Sequence, residues 1–411
     1  MKVLHIGYSD FGGAGKGMLI LHKALKNAGV DSKVLVANKV SYDEDIFCAE
    51  KNFNLYSYSS NKYLRFIQKS IRKRGWGLNQ IDKYLNIIRQ IPSPHSCFFS
   101  FPITNYDISQ HPLVQEADII HLHWIANFVD YPSFFSRINK PVVWTLRDEN
   151  LAFGGFHYKQ ERDAFYNHYS TIEDAFCNIK RSSLEHCKKV HFVALSRMMK
   201  DFYASCPFLS DREITIIHNG IDTSLYRIFD KHIGRDIYHI PQNNYVIVFC
   251  SYHLNEKRKG LHELIEAISQ LPRKDITLLC IGNGTYGGET QIDIRYTGPI
   301  TNEDLLAMTY SCGDVFALPS YQEAFAKTPL EAISCGLPVV AFPCSGMEEL
   351  INEKNGVKCD NFSIQSLLNG LNLASCRSYD RQVLHNDIHE RFSIDKIASK
   401  YRVLYDSLLT R

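Results

Sequence analysis

Short β-rich runs alternate with helical segments from one end of the sequence to the other, and this alternation constrains the fold more than any other feature. Parallel strands need a crossover between each pair, usually a helix, so the pattern predicts an α/β chain with parallel sheets wrapped by helices. One set of strands is expected at KVLHIGY (2–8), SKVLVA (32–37), DIIHLHWI (118–125), PVVWTLRD (141–148) and VHFVALS (190–196). A second set is expected at YVIVFCS (245–251), ITLLCIG (276–282), IRYTG (294–298), DVFALPS (314–320) and PVVAF (338–342). Between the sets, within 207–243, periodicity is lost and Asn-Gly, Ile-Gly and Pro appear, which marks a boundary between two doubly wound domains. The closing stretch SIDKIASKYRVLYDSLL reads as an amphipathic helix, and its periodicity does not say which domain it covers.

Composition supports two cores. At 411 residues with 45% hydrophobic content the chain is too long for one ordinary core. A net charge of +2 argues against a surface that grips a polyanion, so no nucleic-acid partner is expected and any basic site must be local. Twelve cysteines stand without a CxxC pair, mostly in or beside apolar runs, and read as buried free thiols of a reducing compartment rather than disulfides or zinc ligands. The first residues lack the apolar core of a signal peptide and no run reaches the roughly 18 residues of a membrane span, so a cytoplasmic location is expected.

Three helix starts could hold phosphate. SDFGGAGKG follows the first strand, and Gly12, Gly13 and Ala14 would let backbone N–H groups approach a ligand, although the spacing fits neither GxGxxG nor a Walker loop and a plain tight turn explains it as well. SYHLNEKRKGLHELIEAI places Lys257, Arg258 and Lys259 before a helix, where cations oppose the dipole; a bound anion would account for them, and so would a solvated basic loop. In SYQEAFAKTPLEAISCGLPVVAF, Glu323 falls in a loop at the carboxyl end of an expected strand. Thr328-Pro329-Leu330-Glu331 is an N-cap signature in which Glu331 could simply close a capping box.

Taken together, EAFAKTPLEAISCGLPVVAF, IIHNGIDTSLY (216–226), RKG (258–260) and DFGGAG resemble the motifs of the retaining family-4 glycosyltransferases, glycosyl transferases group 1. The resemblance implies the GT-B architecture, two Rossmann-like domains facing across a cleft. The acceptor domain would be 1–210, completed by the C-terminal helix 393–411, and the donor domain 211–392. It implies a retaining transfer of a hexose from a UDP- or GDP-sugar to a saccharide or lipid-linked acceptor, in surface polysaccharide assembly, with no cofactor and no metal. Lys259 and Arg258 would meet the donor diphosphate, Glu323 the transferred sugar and Glu331 the ribose. Gly12, Gly13, Ala14, Asn219, Gly220, His253, Thr297, Phe325, Ala326 and Lys327 would complete the donor site. His123, Arg147 and Asp148 would lie on the acceptor side.

Three departures from the family pattern stand out. His253 replaces an arginine frequent six residues before the lysine, Arg147 replaces the histidine of a T-x-H-D segment, and Ala324 and Ala326 stand where glycine is frequent. Arg147 cannot act as a base near neutral pH and could instead bind an anionic group or a substrate oxygen. They leave a non-catalytic nucleotide-sugar-binding protein as the alternative. His121 and His123 share a strand face, with His157 further on; no carboxylate or thiol completes an obvious metal set, so core or acceptor-lining histidines are expected. Finally, KYLRFIQKSIRKRGW (62–76) projects as a basic amphipathic helix, read either as an ordinary surface helix or as a contact with anionic lipid that would make the protein peripheral at a membrane.

Overall fold

The computed structural model describes residues 1–51, 84, 86–87, 98–185, 187 and 189–410. The expected amphipathic helix at 62–76 lies outside the described residues. Among them, no helix is long and apolar enough to cross a membrane. The chain divides into two compact units, one of Met1–Ala194, Met199–Ile216 and Ser399–Arg411, the other of Leu195–Met198 and Ile217–Ala398.

The first unit is built on β1 (Lys2–Ser9), β2 (Asp31–Asn38), β3 (Ile46–Cys48), β4 (Ile119–Leu122), β5 (Val142–Leu146), β6 (Val190–Ala194) and β7 (Ile214–Ile216), in the order β3-β2-β1-β4-β5-β6-β7. The second holds β8 (Tyr245–His253), β9 (Ile276–Asn283), β10 (Asp293–Gly298), β11 (Val315–Leu318), β12 (Val339–Ala341) and β13 (Gly356–Lys358), in the order β10-β9-β8-β11-β12-β13. Every pairing between these strands is parallel. Helices on both faces explain why the central strands read as continuous apolar runs rather than as alternation. In the second unit Ile247, Phe249, Leu278 and Val315 pack with Leu264, Ile268, Leu367 and Leu371 in one buried core, each such side chain stabilising the fold by about 1.5–3 kcal/mol.

Strand order reverses between β1 and β4, and again between β8 and β11, which are the positions where open α/β sheets bind ligands beyond the strand ends. The expected strands at 118–125, 141–148 and 314–320 leave their sheets early, at Leu122, Leu146 and Leu318. His123, Arg147, Asp148 and Ser320 are thereby released into loops at these ends. The three-residue strands β3, β7 and β13 were not expected; each is too short to show a period, and β7 lies in the stretch read as a boundary.

The C-terminal helix runs Ile394–Leu409 and buries Ile397, Tyr401 and Tyr405. From Ser399 onward it belongs to the first unit, where Tyr405 Oη meets His121 Nδ1 at 2.6 Å and Tyr401 Oη meets Thr145 Oγ1 at 2.8 Å. These polar ends within an apolar stripe place the helix on β4 and β5.

Candidate functional site

In the second unit, the turn after β8 and the loop after β11 are docked on each other. Gly260 has φ +75°, and a Cβ there would stand 2.1 Å from the carbonyl oxygen of Pro319, so only glycine permits this approach. The carbonyl of Arg258 accepts from the Tyr321 N–H at 2.9 Å, and Arg258 Nη1 donates to the Gln322 carbonyl at 2.6 Å. Arg258 also donates to Glu256 Oε1 from Nε at 3.0 Å and from Nη2 at 2.5 Å.

Docking brings Lys259 onto Glu323, with Nζ donating to Oε1 at 2.6 Å, while Arg258 Nη1 stands 3.9 Å from the same oxygen. The carboxylate is only 12% exposed. Burial alone raises an acid's pKa, but the charges of Lys259 and then Arg258 outweigh it and hold the Glu323 carboxyl below the usual range. Glu323 is therefore an anion at neutral pH.

The segment that follows is held from behind by its carbonyls. Ser345 Oγ donates to the Ala324 carbonyl at 2.9 Å and Asn219 Nδ2 to the Phe325 carbonyl at 2.9 Å. Phe325 stacks on His218 with centroids 5.1 Å apart. Phe325 and Ala326 are buried, and Lys327 directly precedes the next helix.

That helix, Thr328–Ser334, starts one residue earlier than the capping-box reading requires, and no side chain caps it. The Glu331 carboxylate instead accepts from Tyr310 Oη at 2.9 Å, buried in the second unit. Tyr310 lies on a different helix, which is why local sequence offered only the cap.

The remaining residues expected on the donor side are more dispersed. His253 ends β8, exposed and edge-on to Tyr252. Thr297 stands on the edge strand β10, two strands away from β8, with its hydroxyl on the Gly298 carbonyl. Gly220 has a packing reason to be glycine, since a Cβ would meet Ile394 Cδ1 at 2.7 Å. Asn219 reaches this segment through its hydrogen bond to the Phe325 carbonyl.

In the first unit, Gly12 takes φ +71° and opens the helix Gly12–Asn27 at the carboxyl end of β1; a Cβ on Gly12 or Gly13 would meet nothing within 4 Å. Ala14 lines a small pocket there with Gly7, Ser9, His123 and Trp124. His123, Arg147 and Asp148 are brought together around a larger pocket that also has Trp124, Tyr131 and Tyr203 in its wall. Asp148 is heavily engaged: Oδ2 accepts from Trp124 Nε1 at 2.6 Å and His157 Nδ1 at 2.5 Å, and His157 Nε2 meets Ser100 Oγ at 2.6 Å. Sequence reading missed Ser100, Trp124, Tyr310, Ser345 and Glu256, none of which stands in a motif of its own.

The histidines of this unit form a directed chain. A guanidinium can only donate, so Arg147 Nη2, 3.1 Å from His123 Nδ1, makes that nitrogen an acceptor and leaves the proton on Nε2. His123 Nε2 then donates to His5 Nδ1 at 2.9 Å, which puts a proton on the buried His5 Nε2. His5, His121 and His123 each place one nitrogen within 4.8 Å of the others. The donor set does not suit a cation, because the His123 lone pair faces Arg147 and the guanidinium would repel a metal ion. Burial, before any neighbouring charge, lowers the pKa of all three rings well below the usual value and keeps them neutral.

Residues 244–373 match the family model described as "Glycosyl transferases group 1". The chain is 25% identical over 239 residues to the uncharacterized glycosyltransferase MJ1069 of Methanocaldococcus jannaschii, covering 54% of this chain and 59% of that protein. It is 32% identical over 153 residues to the sulfoquinovosyl transferase SQD2 of Arabidopsis thaliana, covering 36% of this chain and 28% of that one. The matches thus span about three fifths of the first relative and less than a third of the second. Anabaena Alr3699/HepE, solved with UDP and glucose, superposes with a TM-score of 0.65 at 17% identity over 99% of this chain and 100% of its own. That likeness establishes the fold, which is GT-B with two Rossmann-like parallel sheets.

Proposed function

We propose, from the premise that residues 244–373 belong to the group 1 glycosyl transferases, that this chain is a retaining glycosyltransferase of the family-4 type using a nucleoside-diphosphate sugar. The observation that carries the reading is the Lys259–Glu323 ion pair, held where the strand order reverses between β8 and β11. A cation and a carboxylate fixed side by side suit a ligand that joins a diphosphate to a sugar hydroxyl. Lys259 takes the diphosphate, with Arg258 adding to the positive field, while Glu323 accepts from the transferred sugar and Glu331 from the ribose.

The chemistry follows from charge. As the glycosidic bond breaks, the leaving phosphate oxygen gains negative charge, and one well-placed donor at that oxygen lowers the barrier by roughly 2.7–4 kcal/mol. Lys259 supplies such a donor, so no divalent ion is required for this step. A saccharide or lipid-linked saccharide hydroxyl attacks from the face the diphosphate leaves, its proton passing to a phosphate oxygen, and the new glycosidic bond keeps the donor's anomeric configuration.

The donor is a UDP- or GDP-sugar, and UDP is the first nucleotide to try, since the HepE neighbour binds it. Thermal-shift screening against UDP-, GDP- and ADP-sugars, followed by mass spectrometry of hydrolysed donor, tests the proposal. One nucleotide should raise the melting temperature and its sugar should be released slowly; binding without turnover under any acceptor would favour the sugar-binding alternative, which the engaged lone pair of His123 beside Arg147 keeps in view.

A further inference from the structure

Arg258 makes more bonds to the protein than a phosphate ligand needs. Its Nε and Nη2 both donate to Glu256 Oε1, at 3.0 and 2.5 Å, and Nη1 donates to the Gln322 carbonyl at 2.6 Å. Its own carbonyl accepts from Tyr321 N–H at 2.9 Å. Side chain and main chain therefore stitch the 256–258 turn to residues 321 and 322, beside the close Gly260–Pro319 approach.

The Gln322 carbonyl belongs to the same peptide plane as the Glu323 N–H. Fixing that oxygen on Arg258 fixes the plane, and with it the direction in which the Glu323 side chain leaves the loop. Glu256 supplies the counter-anchor: a guanidinium is a rigid planar fork, so holding its Nε/Nη2 edge aims Nη1 at residue 322. A lysine could carry the charge but could not span both partners.

We infer that Arg258 is a positioning residue for Glu323, anchored by Glu256, rather than a ligand of the donor phosphates. The inference rests on the donor site proposed for Lys259 and Glu323. It assigns the diphosphate's direct bond to Lys259, and to Arg258 the task of keeping Glu323 in register with the sugar. Displacement of a reacting group by about 1 Å costs on the order of a hundredfold in rate, so loss of the fork should fall on turnover.

The experiment compares wild type with Arg258→Ala, Arg258→Lys, Glu256→Gln and Lys259→Ala. Calorimetry measures binding of whichever of UDP, GDP or ADP the wild type takes, and steady-state hydrolysis of the corresponding sugar donor gives kcat and KM. The expected result is nucleotide affinity within about threefold of wild type in the Arg258 and Glu256 variants, with kcat down by about tenfold or more and no rescue by lysine. Glu256→Gln, which keeps Arg258 and its charge, carries the test if Arg258→Ala fails to fold. Three results would overturn the inference while leaving the donor site standing: an affinity loss of about tenfold in Arg258→Ala that lysine restores, tighter binding in Glu256→Gln, or unchanged kcat in every variant at positions 256 and 258. If the wild type binds none of the three nucleotides, the proposed function itself fails.

Discussion

Lys259 and Glu323 meet at 2.6 Å although 64 residues separate them, because β8 and β11 are neighbours and their trailing loops are locked together at Gly260. A lysine and a carboxylate that pair within a largely buried site are each costly to strand. Their arrangement is accordingly sensitive to substitution in ways that separate binding from folding.

Lys259→Ala should weaken nucleoside-diphosphate binding by about 1.5–3 kcal/mol, the usual worth of a hydrogen bond to a charged group, as read by calorimetry. Equal affinity in the variant would remove Lys259 from the site. The same substitution removes the largest influence lowering the Glu323 pKa. In wild type that depressed pKa contributes stability present above the unfolded carboxyl value of about 4.3 and lost as pH falls through the folded value. The variant should lose most of this acid-side dependence in urea unfolding.

Gly260→Ala places a methyl 2.1 Å from the Pro319 oxygen at a left-handed backbone position. It should destabilise the second unit by about 1–3 kcal/mol and lower turnover together with nucleotide affinity, since both loops shift. Unaltered unfolding midpoint and activity would mean the loops are not locked there.

Glu331→Ala distinguishes a ribose acceptor from a structural carboxylate. Nucleoside-diphosphate affinity should fall while that for inorganic pyrophosphate, which has no ribose, stays the same. Tyr310→Phe should cost about 1.5–3 kcal/mol of stability, because the lost hydrogen bond is one to a buried carboxylate. A parallel loss for both ligands in Glu331→Ala would point to collapse of the site instead.

Much of this was legible in the sequence, and the reason is physical. Fully buried parallel strands leave unbroken apolar runs, so the central strands of both sheets could be located, whereas β3, β7 and β13 are three residues each and carry no period. Arg258, Lys259 and Glu323 stood out as charges beside expected strand ends, where solvated loops explained them as well, and the family resemblance is what implied their roles. That Arg258 grips Gln322 and Glu256, or that Tyr310 rather than a capping box engages Glu331, depends on tertiary contacts that no local window contains. The capping-box pattern at Thr328 was misleading for the same reason, since helix start and carboxylate partner were set by packing.

The buried histidines predict a pH dependence. His5, His121 and His123 have pKa values pushed well below 6.5 by burial, and that of His22 is lowered to about 4. In the unfolded chain they take up protons near pH 6.5, so the unfolded state binds more protons below that value and stability falls as pH falls, down to each folded pKa. The slope should approach about 1.4 kcal/mol per pH unit for each histidine, read from urea unfolding between pH 7.5 and 5. Replacing His22 by glutamine should reduce the slope by about one proton. A flat profile would contradict neutral buried rings.

A crystal structure with the nucleoside diphosphate that gives the largest thermal shift decides where the donor sits. Lys259 Nζ should lie within hydrogen-bonding distance of a phosphate oxygen, with the ribose hydroxyls on Glu331 and the vacated sugar position against Glu323. A nucleotide seated elsewhere, with Lys259 turned to solvent, would contradict this placement.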